Sequence, residues 1–110
     1  SPILEMPISW SLDDFPHFEF VRYPDTVLPG LAAGRGVLEN WIDDFDYMTE
    51  TLDWGVITYT FHPFVSGRGH RMKTMERLIN HLKSNGAIFM TVEDAAAEAK
   101  GRIDGTESPA

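Results

Sequence analysis

Apolar side chains recur along residues 37–53 at Leu38, Trp41, Ile42, Phe45, Met48 and Leu52, with Asp43, Asp46, Glu50 and Asp53 mostly on other faces. That spacing of three and four predicts an amphipathic helix. A second stripe, Met72, Met75, Leu78, Ile79 and Leu82, predicts a helix over about 70–84, stopped by Asn85 and Gly86. Between the two, residues 55–61 (Gly-Val-Ile-Thr-Tyr-Thr-Phe) are β-branched and aromatic and read as a strand. A turn over 62–68 follows, with Pro63 and Gly67. Residues 3–9 read as a short strand that Pro7 confines to an edge or an end. Residues 87–91 read as a last short strand. The run Thr91-Val-Glu-Asp94 resembles a capping box, with Asp in the acidic position, and opens an Ala-rich helix to about Lys100. Residues 10–36 are rich in Pro, Gly and aromatics, hold no sustained period, and read as a long loop with room for a helical turn.

Strands alternating with helices point to a parallel α/β sheet or barrel. A parallel sheet needs both faces covered, and two or three strands are short of a complete one. We therefore expect one domain over residues 1–100, short of strands, and a flexible polar tail over 101–110.

Composition narrows the partners. The formal net charge is -8, from nine Lys and Arg against seventeen Asp and Glu. Nucleic acid and anionic membrane surfaces call for clustered positive charge, so neither is an expected partner. There is no cysteine, which excludes disulfides and thiolate metal sites. No apolar run is long enough to span a bilayer, and no basic segment followed by an apolar stretch opens the chain. The expected compartment is the cytoplasm.

Three local features carry chemistry. His62 stands at the carboxyl end of the 55–61 strand, where functional groups collect in parallel α/β folds. It reads either as an acid or base near neutral pH or as a cap on the turn that follows. Asp13 and Asp14 are adjacent carboxylates in Trp10-Ser-Leu-Asp-Asp-Phe-Pro16, able to orient a His, bind a cation or act as a base. The same residues are also ordinary turn formers. Around them Trp10, Phe15, His17, Phe18 and Phe20 line either a pocket or a core. The third feature, Gly67-Arg-Gly-His-Arg71, sits at a helix start and lacks the Gly-Lys-Ser/Thr of a Walker loop. Arg71 reads as paired to acidic neighbours, while Arg68 stays open as a ligand contact. His70 and His81 lie eleven residues apart, which is not zinc-ligand spacing, and His81 reads as a surface or core-edge residue.

At these features the chain resembles the polysaccharide deacetylase (NodB-homology, carbohydrate esterase family 4) family. The likeness is to its intracellular branch of peptidoglycan-deacetylase-like and allantoinase- or cyclic-imide-hydrolase-like proteins. It rests on Met6-Pro-Ile-Ser-Trp-Ser-Leu-Asp-Asp-Phe-Pro16, Trp41-Ile-Asp-Asp-Phe-Asp46 and Thr58-Tyr-Thr-Phe-His-Pro63 with Gly67-Arg68. It continues through Leu78-Ile-Asn-His-Leu82 to Phe89-Met-Thr91. The resemblance implies the C-terminal portion of a distorted seven-stranded (β/α) barrel, completed by another chain or copy. Tyr59, Phe61 and His62 match a Leu-x-Leu-His motif, whose His protonates the leaving amine. Asp14 and Phe15 match the end of an Asp-x-x-Asp-Trp motif, with Phe15 for Trp and Ser11 where the first Asp is expected.

The resemblance thus implies His62, Asp14 and Asp13 as catalytic residues. Trp10, Phe15 and Arg68 are the expected substrate-binding residues. The resemblance also implies a divalent metal, zinc by expectation, whose Asp and two His ligands are not in this chain. Neither Asp-Asp-Gly nor His-Ser-x-x-x-His occurs here. The implied reaction is amide hydrolysis, either deacetylation of an N-acetylated sugar or opening of a small cyclic amide. A second chain or copy supplies the metal-binding half. The competing expectation is a non-catalytic binding module that keeps only the late barrel strands.

Overall fold

The computed structural model describes residues 4–24 and 26–106. They form two compact units, Ile8–Ala87 and a second made from the two ends of the chain. In chain order the first unit holds a 3-10 turn (Trp10–Leu12), helix α1 (Asp14–Phe18), strands β1 (Val21–Tyr23) and β2 (Thr26–Leu28), and helices α2 (Gly34–Thr51), α3 (Pro63–Ser66) and α4 (Gly69–Ser84). The second unit holds helix α5 (Val92–Thr106).

The core of the first unit is Phe18, Val37, Trp41, Phe45, Val65, Leu78 and Leu82. Trp41 is fully buried and meets Phe18, Tyr59 and Phe61 edge to face, at centroid distances of 6.2, 5.9 and 5.5 Å. Such pairs add to the gain from removing large apolar rings from water. The predicted α2 stripe is present, although Leu52 is exposed and Val37 takes a core place.

The buried line of α4 differs from the expected one. Arg71, Thr74, Leu78 and Leu82 face inward, whereas Met72 and Ile79 are exposed. Thr74 packs on Gly34, where a Cβ would collide with its hydroxyl, so the glycine lets α2 and α4 approach. Arg71 tolerates burial because both terminal nitrogens of its guanidinium are partnered, although its Nε is buried without a partner among the described residues. It donates to Glu19 Oε1 at 2.9 Å, Val65 O at 3.0 Å and Phe18 O at 3.0 Å, and it lies over the Phe18 ring. The pairing expected of Arg71 with an acidic neighbour is therefore present.

The parallel α/β sheet expected from the sequence is not realised in these residues, which are mostly helical. The one ladder among the described residues is the antiparallel pair β1–β2, with Val21 opposite Leu28. Both strands lie inside 10–36, the region read as a loop. Residues 55–61 keep the alternation of a strand, with Ile57, Tyr59 and Phe61 packed on the core. Among the described residues their one pairing is an isolated parallel bridge between Asp13 and Thr60. A strand forms by pairing with bonded neighbours, and among the described residues only the 12–14 turn runs beside this one. Residues 4–9 and 87–91, also read as strands, form none; Ile88, Phe89 and Met90 are exposed. Ile3 lies outside the described residues.

Thr91 caps α5, its hydroxyl accepting from Asp94 N at 3.1 Å, and Ala95 and Ala99 are the buried positions of that helix. The helix runs past Lys100, where the flexible tail was expected to begin, to Thr106; residues 107–110 lie outside the described residues. No helix among the described residues is long and apolar enough to cross a membrane.

Candidate active site

The stretch 11–14 is pinned before any site chemistry is considered. The Ser11 carbonyl accepts from Trp41 Nε1 at 2.6 Å and from His17 Nε2 at 2.8 Å. Asp13 adopts an extended conformation and caps α1, its Oδ1 accepting from Phe15 N at 2.9 Å. The backbone then bonds to the 55–61 segment on both sides of Asp13, with Thr60 N to Leu12 O at 2.9 Å and Asp14 N to Thr60 O at 3.0 Å. That register carries His62, two residues beyond Thr60, to Asp14.

His62 is held from its own side as well. Pro63 occupies the first turn of α3, and the residue before a proline favours extended backbone. His62 has φ -112° and ψ 127° accordingly, and its side chain makes no capping bond to α3. The ring turns instead to Asp14. Nδ1 lies 2.7 Å from Asp14 Oδ1, the His62 backbone N–H donates to Oδ2 at 2.8 Å, and Ser66 Oγ donates to Oδ2 at 2.6 Å. Asp14 is fully buried, so its carboxylate spends its acceptor capacity on these three donors.

An ionised carboxylate only accepts, so Nδ1 carries a hydrogen and Nε2 is the outward group. No described residue bonds Nε2, and the His62 side chain is 38% exposed. The Asp14 hydrogen bond raises the His62 pKa above the ordinary imidazole value; desolvation opposes this, and the charges of Asp14 and Asp13 add to it. Asp13 Oδ1 is 3.6 Å from Nδ1, too long for a hydrogen bond, so Asp13 acts on His62 through charge.

The other predicted residues fall as follows. The Phe15 ring meets His62 at 6.1 Å and Phe64 at 6.1 Å, and Phe64 meets His62 at 5.8 Å, forming an aromatic rim around the imidazole. Trp10 is 75% exposed, and no ring contact or hydrogen bond joins it to His62 among the described residues. Arg68 is exposed at the N-cap of α4, without a side-chain bond to a described residue. His81 sits at the core edge, with Nε2 2.8 Å from Asp46 Oδ1. Ser66 and Phe64 were not anticipated. The one available signal for Ser66 was its place one helical turn after His62, behind a proline that fixes where that turn starts.

Ligand atoms of Asp13, Asp14 and His62 lie within 4.8 Å of one another. In this arrangement they do not fit a metal. The ring nitrogen facing the carboxylates is protonated, and both Asp14 oxygens are already taken by donors. A cation here would have to displace the Nδ1 hydrogen and break the Ser66 bond.

Known proteins similar to this chain are deacetylases by name, which supports a relation to the polysaccharide deacetylase family. The chain is 30% identical over 95 residues to a peptidoglycan deacetylase of Helicobacter pylori, covering 86% of this chain and 32% of that protein. It is 28% identical over 107 residues to the peptidoglycan deacetylase-like protein FGM2 of Gibberella zeae, covering 87% of this chain and 30% of that protein. The chain thus spans about a third of the length of the curated relatives it matches. No family model matches it.

Proposed function

We propose that this chain forms the late part of a polysaccharide-deacetylase-type hydrolase that cleaves an amide C–N bond, with His62 as its general acid. The carrying observation is the bond of His62 Nδ1 to a buried, three-times-bonded Asp14, which leaves Nε2 facing outward. An amide nitrogen is a poor leaving group until it is protonated. In the proposed step the C–N bond of the tetrahedral intermediate breaks and its electron pair stays on nitrogen. That nitrogen takes the Nε2 proton and departs as the free amine. His62 is left neutral, still donating Nδ1–H to Asp14. The raised pKa increases the share of the acid form relative to an ordinary imidazole.

The divalent metal that the resemblance implies belongs, in this reading, to groups outside Asp13, Asp14 and His62. Those groups come from a second chain, copy or stretch of polypeptide that also pairs with residues 55–61. The match to about a third of each relative supports this, as does the single bridge made by that segment. The relatives' names favour an N-acetylated amino sugar of peptidoglycan as substrate over a small cyclic amide. Acetate release from N-acetylglucosamine oligomers by the assembled protein tests the choice. Ring opening of a cyclic imide with no acetate release would overturn it.

A further inference from the structure

The geometry points to Ser66 as a positioning residue for the proton donor, acting through Asp14 and completing a Ser66–Asp14–His62 relay. The inference rests on the reading of His62 as the acid and adds a residue that this reading does not require.

Ser66 Oγ is 2.6 Å from Asp14 Oδ2, the length of a charge-assisted hydroxyl–carboxylate bond, and Ser66 is 2% exposed. Oδ2 also accepts the His62 backbone N–H at 2.8 Å, so this oxygen is fixed by two donors and Oδ1 is aimed at Nδ1. Water has no access to a fully buried Asp14, so no solvent molecule replaces the hydroxyl if it is removed. A carboxylate that loses the hydroxyl fixing Oδ2 is freer to rotate, and Oδ1 turned off the Nδ1 line loses its hold on the ring hydrogen.

The surroundings make Ser66 a lever. Its backbone N–H bonds to the His62 carbonyl at 2.9 Å, so donor and acid share one helical turn. Arg71 ties the Val65 carbonyl of that turn to Glu19 and to the Phe18 carbonyl at the end of α1, the helix that begins with Asp14. The titratable groups facing His62 are Asp14 and Asp13, and Asp13 is spent on the Phe15 N–H. Asp14 is therefore the route by which Ser66 reaches the imidazole.

The test is the NMR titration of His62 in the 110-residue chain, with ¹⁵N-labelled histidine, comparing wild type with Ser66→Ala and Ser66→Thr. Ser66→Ala is expected to lower the His62 midpoint by about one pH unit, the tenfold equivalent of one charge-assisted bond. Turnover near neutral pH in the deacetylation assay should fall with it, and Ser66→Thr, which restores the hydroxyl, should recover both. Should either variant fold poorly, the wild-type chain decides. A slowly exchanging Ser66 hydroxyl proton coupled to His62 titration supports the relay, and a rapidly exchanging one overturns it. An unchanged midpoint in folded Ser66→Ala overturns it too, while leaving His62 as the acid. Full activity of His62→Ala would instead remove the acid and leave the Ser66 effect on the midpoint standing.

Discussion

Asp14→Asn separates the charge of the dyad from its shape. Asn is close to isosteric with Asp but brings one acceptor oxygen and an NH2 group into a pocket that presents three donors. The amide oxygen is best placed where Oδ2 now takes two donors, the His62 N–H and the Ser66 hydroxyl. The NH2 then faces Nδ1, which becomes an acceptor, and the ring hydrogen moves to Nε2. Three charge-assisted bonds become neutral ones, one of them reversed, a loss of about 1–3 kcal/mol after relief from burying a charge. In a domain of this size each kcal/mol lowers the thermal midpoint by several degrees.

The chemical effect is larger. An unperturbed imidazole, with a pKa of about 6.5, is only about a quarter protonated at pH 7. The variant should fall below that, because the NH2 group disfavours a hydrogen on Nδ1. Turnover should drop about 10- to 100-fold, less than the hundred- to ten-thousand-fold loss that accompanies complete removal of a general acid. The assay is the ¹⁵N shift of both ring nitrogens against pH, read beside turnover. An Nδ1–H tautomer with an unchanged midpoint in the variant would refute the argument.

Arg71→Leu should destabilise the first unit by about 3–5 kcal/mol, towards the lower end because Glu19 keeps some solvent; urea unfolding showing a loss below about 1 kcal/mol would contradict the clamp. The charge-assisted part of the His62–Asp14 bond should be complete below the ordinary imidazole value and vanish as pH rises through the raised His62 pKa, since a raised folded-state pKa stabilises the protonated form. The gap in thermal midpoint between wild type and His62→Ala should accordingly be wider near about pH 5.5 than near about pH 8.5, and an equal gap at both would count against the dyad. Calorimetric titration with Zn²⁺ should show no tight one-to-one site in this chain, and such a site, lost in Asp14→Asn, would mean that the carboxylate is a ligand.

His62 and Asp14 were legible because each sits at a punctuated place, beside Pro63 and in an Asp-Asp pair before a proline. Their contact was only one of several roles open to the Asp pair, because it depends on the Asp13–Thr60 bridge, a pairing across 47 positions that no local pattern encodes. The capping alternative for His62 could not be dismissed from sequence, since the extended conformation it requires also suits a ring turned towards Asp14. Helices α2 and α4 were readable from periodicity. The inward face of α4 was not, because a buried Arg71 with three acceptors and a Thr74 packed on Gly34 displace the methionines that hydropathy would choose. The strands failed for a physical reason. Residues 55–61 have the side-chain pattern of a strand, but strand pairing depends on neighbours, and these residues supply none beyond Thr60.

The most direct measurement is turnover per folded molecule of His62→Ala in the assembled hydrolase, taken together with its thermal midpoint. The account predicts a hundred- to ten-thousand-fold loss of turnover, substrate binding nearly unchanged and a midpoint close to that of Asp14→Asn. A His62→Ala protein that is destabilised yet fully active would show that His62 serves only to hold the turn before α4, and would contradict the central claim.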